Sequence, residues 1–136
     1  MNRIDAFLEL VVQQGGSDLH LVAGQPPRVR LNGNLQPVRF RELSPGDLAG
    51  LIDEIMTPEL HAKLDADWAV DFAYQAETCG RFRVNAYRHT GGVAAALRVV
   101  SSKTPNLEAL QLPSVVQQTL AFPKGLILVT GPTGSG

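Results

Sequence analysis

Hydrophobic positions follow a helical period at the start of the chain and alternate with polar positions over much of the remainder. Residues 2–15 are predicted to form a helix, because apolar side chains recur there at spacings of three and four. Alternation then predicts strands over residues 18–22, 28–31 and 35–40, with Asn32-Gly33 as a typical two-residue hairpin turn. The apolar positions of the predicted helix are Ile4, Phe7, Leu8, Val11 and Val12.

Two further helices are predicted after this hairpin, each begun by a hydroxyl residue followed by proline. Ser44 is suited to cap a helix N-terminus, with Pro45 in the first helical position, and Thr57-Pro58-Glu59 begins a second, short helix. A strand then follows, in which alternate large side chains indicate a face turned to the core. These side chains are Trp68, Val70, Phe72 and Tyr74.

The next two alternating segments, residues 81–88 and 93–100, are separated by a glycine-containing turn and predict a hairpin. If the turn centres on Thr90-Gly91, paired residues have numbers that add up to 181, so Arg83 lies directly opposite Arg98. Like charges in that position repel each other, and an anion between the two guanidinium groups would relieve the repulsion. The spacing therefore predicts an anion site, most simply one for a phosphate group.

Two alternatives to this anion site stay open at the level of sequence. The arginines can lean apart into solvent, or each can pair with a carboxylate from the acidic helices. A turn displaced by one residue would also end the opposition.

Residues 42–77 hold nine acidic residues and a single base, Lys63, whereas residues 81–103 hold five bases and no acid. This segregation indicates complementary faces, within a subunit or between subunits.

After residue 100 the alternation of apolar and polar residues ends. Two prolines predict a linker over residues 101–113, and a short helix is predicted over residues 114–121. Residues 126–130 form a continuous apolar run, which is typical of a buried parallel strand. Taken together, the elements predict an α+β domain over residues 1–100, with an antiparallel sheet flanked by helices.

Composition and charge exclude several classes of protein. The chain has 136 residues, and 12 basic against 13 acidic residues give a net charge of -1, which argues against binding nucleic acid through bulk charge. The single cysteine, Cys79, excludes an intrachain disulfide and fits a reducing compartment. The apolar runs are too short to cross a membrane. The three histidines show no metal-ligand spacing, so we predict no metal site and a cytoplasmic location.

A glycine-rich segment comes directly after the apolar run. It fits the first six positions of the phosphate-binding loop G-x-x-x-x-G-K-[ST], in which backbone N–H groups converge on phosphate oxygens. The sequence stops before the lysine and the hydroxyl residue, so we expect these residues alone neither to hydrolyse ATP nor to bind it tightly. A flexible tail is the alternative. The segment consists of Gly131, Pro132, Thr133, Gly134, Ser135 and Gly136.

Several motifs in the same order resemble the type IV pilus retraction ATPases, members of the type II/IV secretion ATPase superfamily. They are Ser17-Asp18-Leu19-His20-Leu21, Pro26-Pro27, Leu31-Asn32-Gly33, Arg81-Phe82-Arg83-Val84-Asn85, Arg98 and the glycine-rich ending. The resemblance implies a PAS-like domain over residues 1–100, a linker with a short helix over 101–124, and the first strand and phosphate loop of a RecA-like α/β domain over 125–136.

The resemblance also implies a function. The complete protein would be a hexameric ATPase that uses ATP and Mg²⁺ to retract pili, located in the cytoplasm at the inner membrane and acting on a platform protein at the pilus base. Arg83 and Arg98 would stabilise charge on the phosphoryl group, with Arg81 as a third candidate. Asp18 and His20, on one face of their strand, are interpreted as structural residues that bond neighbouring backbone. The alternatives are a PAS-like module that senses a small molecule, and an assembly module.

Overall fold

The structure is a computed structural model that describes residues 2–101 and 106–131. The chain divides into two compact units, residues 1–102 and residues 103–136. Among the described residues, the first unit holds six strands and three helices, and the second unit contains one short helix, α4, over Ser114–Thr119. The helices of the first unit are α1 Asp5–Gln13, α2 Pro45–Asp53 and α3 Pro58–Asp67. Its strands are β1 Asp18–Val22, β2 Arg28–Leu31, β3 Asn34–Pro37, β4 Ala69–Ala76, β5 Gly80–His89 and β6 Gly92–Val100.

The six strands form one antiparallel sheet in the order β3-β2-β1-β6-β5-β4. Strand β1, near the start of the chain, therefore pairs with β6, which ends the first unit. This arrangement confirms the predicted α+β class, an antiparallel sheet flanked by helices. The predictions that the domain is PAS-like and that a RecA-like domain follows remain predictions.

One face of the sheet supplies most of the hydrophobic core. Residues at alternate positions of the strands are buried together with the apolar stripes of the three helices, as amphipathic patterning requires. On β1 and β6, for example, Leu19 lies directly opposite Leu97, and both are fully buried. The other face carries the polar residues at the alternate positions of the same strands, so charged side chains of five neighbouring strands share one surface.

The helix starts form as the sequence predicts. At the start of α2, Ser44 Oγ accepts a hydrogen bond of 3.1 Å from the backbone N–H of Asp47, and Asp47 Oδ2 accepts one of 3.1 Å from the backbone N–H of Ser44. This reciprocal pair is a capping box. Thr57 caps α3 through a single bond, in which its Oγ1 accepts from the backbone N–H of Leu60 at 3.4 Å.

The predicted position of Trp68 in the core is wrong. Helix α3 runs through Asp67 and ends at Trp68, whose φ of 64° places it in the left-handed region, and its side chain is 63% exposed. The strand begins one residue later, because this reversal separates Trp68 from the alternation of the strand. Val70, Phe72 and Tyr74 do lie on the inner side of β4, and Val70 is buried.

The second unit differs from its prediction at the apolar run. Residues 126–130 form no strand, and side chains such as Leu126 (81% exposed) and Val129 (95%) face solvent. A strand needs a neighbour to satisfy its backbone groups, and no part of residues 106–131 forms one. Of the glycine-rich segment, Gly131 is described and exposed, whereas residues 132–136 lie outside the described residues. Within the described ranges, no helix has the length and apolar character needed to cross a membrane.

Candidate functional site

Arg83 on β5 lies directly opposite Arg98 on β6, as the hairpin arithmetic predicts. The same register places Asn85 opposite Ala96 and Tyr87 opposite Ala94, so paired numbers add up to 181 along the hairpin. Because both arginines occupy the polar alternates of their strands, their side chains share the face that is turned away from the core. The predicted pair of like charges is therefore present in the folded sheet.

Two rows of side chains extend this pair across the sheet, and together they form a surface that we call the arginine face. In the first row, Arg30 lies opposite Asp18, which lies opposite Arg98, which lies opposite Arg83. The second row is displaced by two residues along each strand and holds Arg28, His20, Ala96, Asn85 and Asp71. Four arginines and two aspartates thus share one surface.

Asp18 is the most buried charged residue of the arginine face, with 8% of its side chain exposed. Its Oδ1 accepts a hydrogen bond of 2.8 Å from Arg98 Nε, and its Oδ2 accepts one of 2.6 Å from Ser17 Oγ. Arg30 Nε lies 3.3 Å from Oδ2. The interpretation that Asp18 bonds neighbouring backbone is therefore wrong, because its partners are side chains, two of them arginines.

The pKa of Asp18 reflects these contacts. Burial, the largest single influence, would raise the pKa, since it disfavours a carboxylate. The hydrogen bonds from Ser17 and Arg98 and the charges of Arg98 and Arg30 outweigh burial, so the pKa lies below its ordinary value. Asp18 is consequently an anion throughout the neutral range.

Arg83 has a different partner, Asp71 on strand β4. Arg83 Nε lies 3.0 Å from Asp71 Oδ1 and Nη2 lies 3.3 Å from Oδ2, a two-point contact, and Asn85 Nδ2 donates to the same Oδ2 at 3.3 Å. The hydrogen bond from Arg83 is the main cause that lowers the pKa of Asp71. One alternative from the sequence, pairing of each arginine with a carboxylate, is thus observed, but both carboxylates lie on strands rather than on the acidic helices.

The arginine face remains open despite these ion pairs. The side chains of Arg83 and Arg98 are 67% and 69% exposed. A depression of about 280 Å³ lies between them. Such a surface can present several N–H donors to an anion, since a guanidinium carries five. The depression is lined by Asp18, Asp71, Arg83, Asn85, Ala96 and Arg98.

His20 and Arg28 occupy the second row, directly opposite each other. His20 Nε2 and Arg28 Nε are shielded from solvent and have no hydrogen-bond partner among the described residues. Burial and the charge of Arg30 lower the pKa of His20, with Arg98 acting in the same direction and Asp18 against it. A neutral histidine at this position adds no further positive charge to the four arginines.

Sequence reasoning missed Asp71 as part of this site, although a signal for it exists. The turn between β4 and β5 contains Thr78, and a hairpin centred there has paired numbers that add up to 156. Asp71 then lies opposite Asn85, next to Arg83, as observed. No cluster of three or more metal-ligating side chains occurs within residues 2–101 and 106–131.

Comparison with known proteins shows similarity to type II/IV secretion system proteins and type IV pilus ATPases. The model of the type II/IV secretion system protein family matches residues 1–136. PilT, a type IV pilus retraction ATPase of Pseudomonas aeruginosa, is 36% identical over 133 residues, which are 98% of this chain and 39% of that protein. PilU, a type IV pilus ATPase of the same organism, is 33% identical over 97% of this chain and 35% of its own length.

Solved structures give the same result. The crystal structure of the pilus retraction motor PilT with bound ADP superposes with a TM-score of 0.86 at 38% identity, covering all of this chain and 40% of that one. The ATPase DotB of Legionella pneumophila gives 0.80 at 28% identity, over 98% of this chain and 38% of that one. The chain thus spans about two-fifths of the relatives it matches. By sequence and by fold, it belongs to the type II/IV secretion system protein family.

Proposed function

We propose that this chain is the N-terminal part of a motor ATPase that retracts type IV pili. Its similarity to PilT, named as a retraction ATPase and seen with ADP bound, supports this assignment. In the complete protein, six subunits form a ring in the cytoplasm, at the inner membrane. ATP hydrolysis with Mg²⁺ then drives the removal of pilin subunits at a platform protein of the pilus base.

The arginine face contributes charge stabilisation to this reaction. Arg83 and Arg98 approach the phosphates of ATP and stabilise negative charge as the phosphoryl group is transferred. The observation that carries this role is their direct opposition on two paired strands, which is unfavourable unless negative charge lies close by. Asp18 and Asp71 supply part of that charge, yet about two-thirds of each arginine side chain remains exposed.

The glycine-rich segment has a phosphate-binding role of its own in the complete protein. Gly131, Pro132, Thr133, Gly134, Ser135 and Gly136 begin a phosphate-binding loop, whose backbone N–H groups would surround the phosphates. The lysine and the hydroxyl residue that complete such a loop hold the outer phosphates and Mg²⁺. ATP hydrolysis is accordingly a property of the complete protein.

Substitution in the complete protein tests this proposal. Arg83→Gln and Arg98→Gln are each expected to lower kcat for ATP hydrolysis by about 10³-fold, the lower end of the effect of an arginine at a transferring phosphoryl group. Arg88→Gln is the matched control, because Arg88 lies on the same strand and pairs with an aspartate, Asp65, but occupies the alternate position. The control is expected to retain activity.

The size of the assembly separates this proposal from its rival. Light scattering on the same variants should show an intact oligomer with reduced ATP hydrolysis. If hydrolysis persists while the assembly dissociates, the arginines serve subunit contacts. If both properties persist in Arg83→Gln and Arg98→Gln, the phosphate role is wrong.

A further inference from the structure

We infer that the two opposed arginines have different tasks: Asp18 is a positioning residue that fixes Arg98, and Asp71 is an exchangeable counterion that releases Arg83 to an incoming phosphate. This inference rests on the proposed function, because it divides the phosphate contact between two side chains. It assigns roles to two carboxylates that line the depression on the arginine face.

Arg98 is fixed because its partner is buried and already saturated with donors. Asp18 is 8% exposed and accepts from Ser17 as well as from Arg98, with Arg30 on its other side. Losing one of these contacts would leave a buried charge poorly compensated, which is costly. The contact uses only Nε of Arg98. Both terminal nitrogens are therefore available to a ligand, within the part of the chain that the structure describes.

Arg83 is exchangeable because its partner is exposed. Asp71 is 46% exposed, and Arg83 contacts it through Nε and Nη2, one long edge of the guanidinium. Exposed ion pairs are weak, since water solvates both ions well when they separate. After release, Asn85 still donates to Asp71, so the carboxylate keeps a partner. A phosphate with two negative charges is a stronger acceptor for the same edge than a carboxylate with one.

Because of these two contacts, Arg98 and Arg83 respond differently to an incoming anion. Arg98 binds without rearrangement, because its side chain is already ordered by Asp18. Arg83 binds only by leaving Asp71, so the carboxylate competes with the ligand and lowers its affinity. Removing the charge of Asp71 should therefore tighten anion binding, whereas removing the charge of Asp18 should disorder Arg98.

Nuclear magnetic resonance of arginine Nε–Hε groups in the 136-residue chain tests both roles, with inorganic pyrophosphate as the probe. Without the probe, the Arg98 signal is expected to show an ordered side chain and the Arg83 signal a more mobile one. Asp18→Asn should make Arg98 mobile and leave Arg83 unchanged. A purely structural effect of Asp18 would alter the dispersion of backbone amides as well, so those signals are recorded in parallel.

The affinity for pyrophosphate tests the exchange. Asp71→Asn is expected to raise this affinity by up to about fivefold at about 0.15 M salt, the upper range for an exposed ion pair. Asp65→Asn is the matched control, since it removes an equal charge from another exposed aspartate–arginine pair, on helix α3. It should leave the affinity unchanged. Pyrophosphate should shift the Arg83 signal more than the Arg98 signal.

The outcomes are distinguishable. If Arg98 is as mobile as Arg83 in the wild-type chain, or stays ordered in Asp18→Asn, the positioning role is overturned. If pyrophosphate binds but Asp71→Asn has the wild-type affinity, the exchange is overturned while the proposed phosphate role stands. If millimolar pyrophosphate shifts neither arginine signal, the exchange and the proposed phosphate role both fail.

Discussion

Tyr74 donates a hydrogen bond of 2.7 Å from its phenolic hydroxyl to Asp5 Oδ1, joining strand β4 to the first turn of helix α1. Asp5 is fully buried, and its other oxygen accepts from the backbone N–H of Asn2 at 3.0 Å. Asn2 Nδ2 in turn donates to the hydroxyl of Tyr74 at 3.0 Å. This closed network satisfies a buried charge at the point where the first helix meets the sheet.

Tyr74→Phe is expected to destabilise the domain by about 1–3 kcal/mol, because it leaves a buried carboxylate oxygen without its donor. Urea unfolding at neutral pH measures the change. Tyr87→Phe is the matched control, since Tyr87 is 38% exposed and its hydroxyl makes no hydrogen bond among the described residues. Equal effects of the two substitutions would contradict a role for the network.

The same network predicts a loss of stability in alkali. Burial, together with the hydrogen bond to Asp5, raises the pKa of Tyr74 to about 12. A raised pKa means that folding favours the protonated phenol, so the contribution is complete below the ordinary value of 10 and is lost as the pH rises towards 12. Wild-type stability should fall across this window more than that of Tyr74→Phe. Parallel pH curves for the two proteins would contradict this.

The lowered pKa of Asp18 predicts that the domain loses stability in acid. Although burial opposes it, the hydrogen bonds from Ser17 and Arg98 and the nearby arginine charges lower its pKa below the ordinary 3.8. The carboxylate therefore stabilises the fold above that value and loses this effect as the pH falls through the folded-state pKa. Asp18→Asn should cost about 1–2 kcal/mol at neutral pH. The difference between the two proteins should shrink below pH 3.8. Chemical unfolding of both proteins at neutral pH and in acid measures this difference in the free energy of unfolding. A difference that does not change with pH would contradict the stabilising role of the Asp18 carboxylate.

Two glycines offer a matched test of backbone conformation. Gly33 in the β2–β3 turn has a φ of 81°, whereas Gly46 in helix α2 does not adopt a positive φ, and a Cβ added at either would meet nothing within 4 Å. Gly33→Ala is expected to destabilise the domain by about 1 kcal/mol, and Gly46→Ala to be neutral or stabilising by a similar amount. Thermal unfolding of both variants separates the effect of φ from that of packing. Equal shifts in Tm would show that the positive φ of Gly33 does not determine the effect of the substitution on stability.

Local patterns predicted the elements of this fold well, for physical reasons. Asn32 and Gly33 have φ values of 49° and 81°, which a tight hairpin requires, so the chemistry of two residues determined the turn. The short turn at Thr90-Gly91 likewise fixed the register that places Arg83 opposite Arg98. In both hairpins the information is confined to a few neighbouring residues.

Contacts between distant segments could not be predicted in the same way. Asp18 and Arg98 meet only because β1 is inserted between β2 and β6, and alternation alone does not specify strand order. The prediction for Trp68 failed for a different reason: the residue continues the alternating pattern of the strand in sequence, but in the structure it ends helix α3. At residues 126–130 the apolar run indicated a strand, but pairing depends on neighbours that the described residues do not supply.

The insertion of β1 beside β6 also determines when the arginine face comes into existence. Arg30 and Asp18 come from the first hairpin, whereas Arg98 and Arg83 come from the last, and Asp18 and Arg98 are 80 positions apart. Neither half of the domain can display the row by itself. A newly synthesised chain would hold Arg98 in place only after its last strand had joined its first, so an ordered Arg98 side chain is a signature of completed folding.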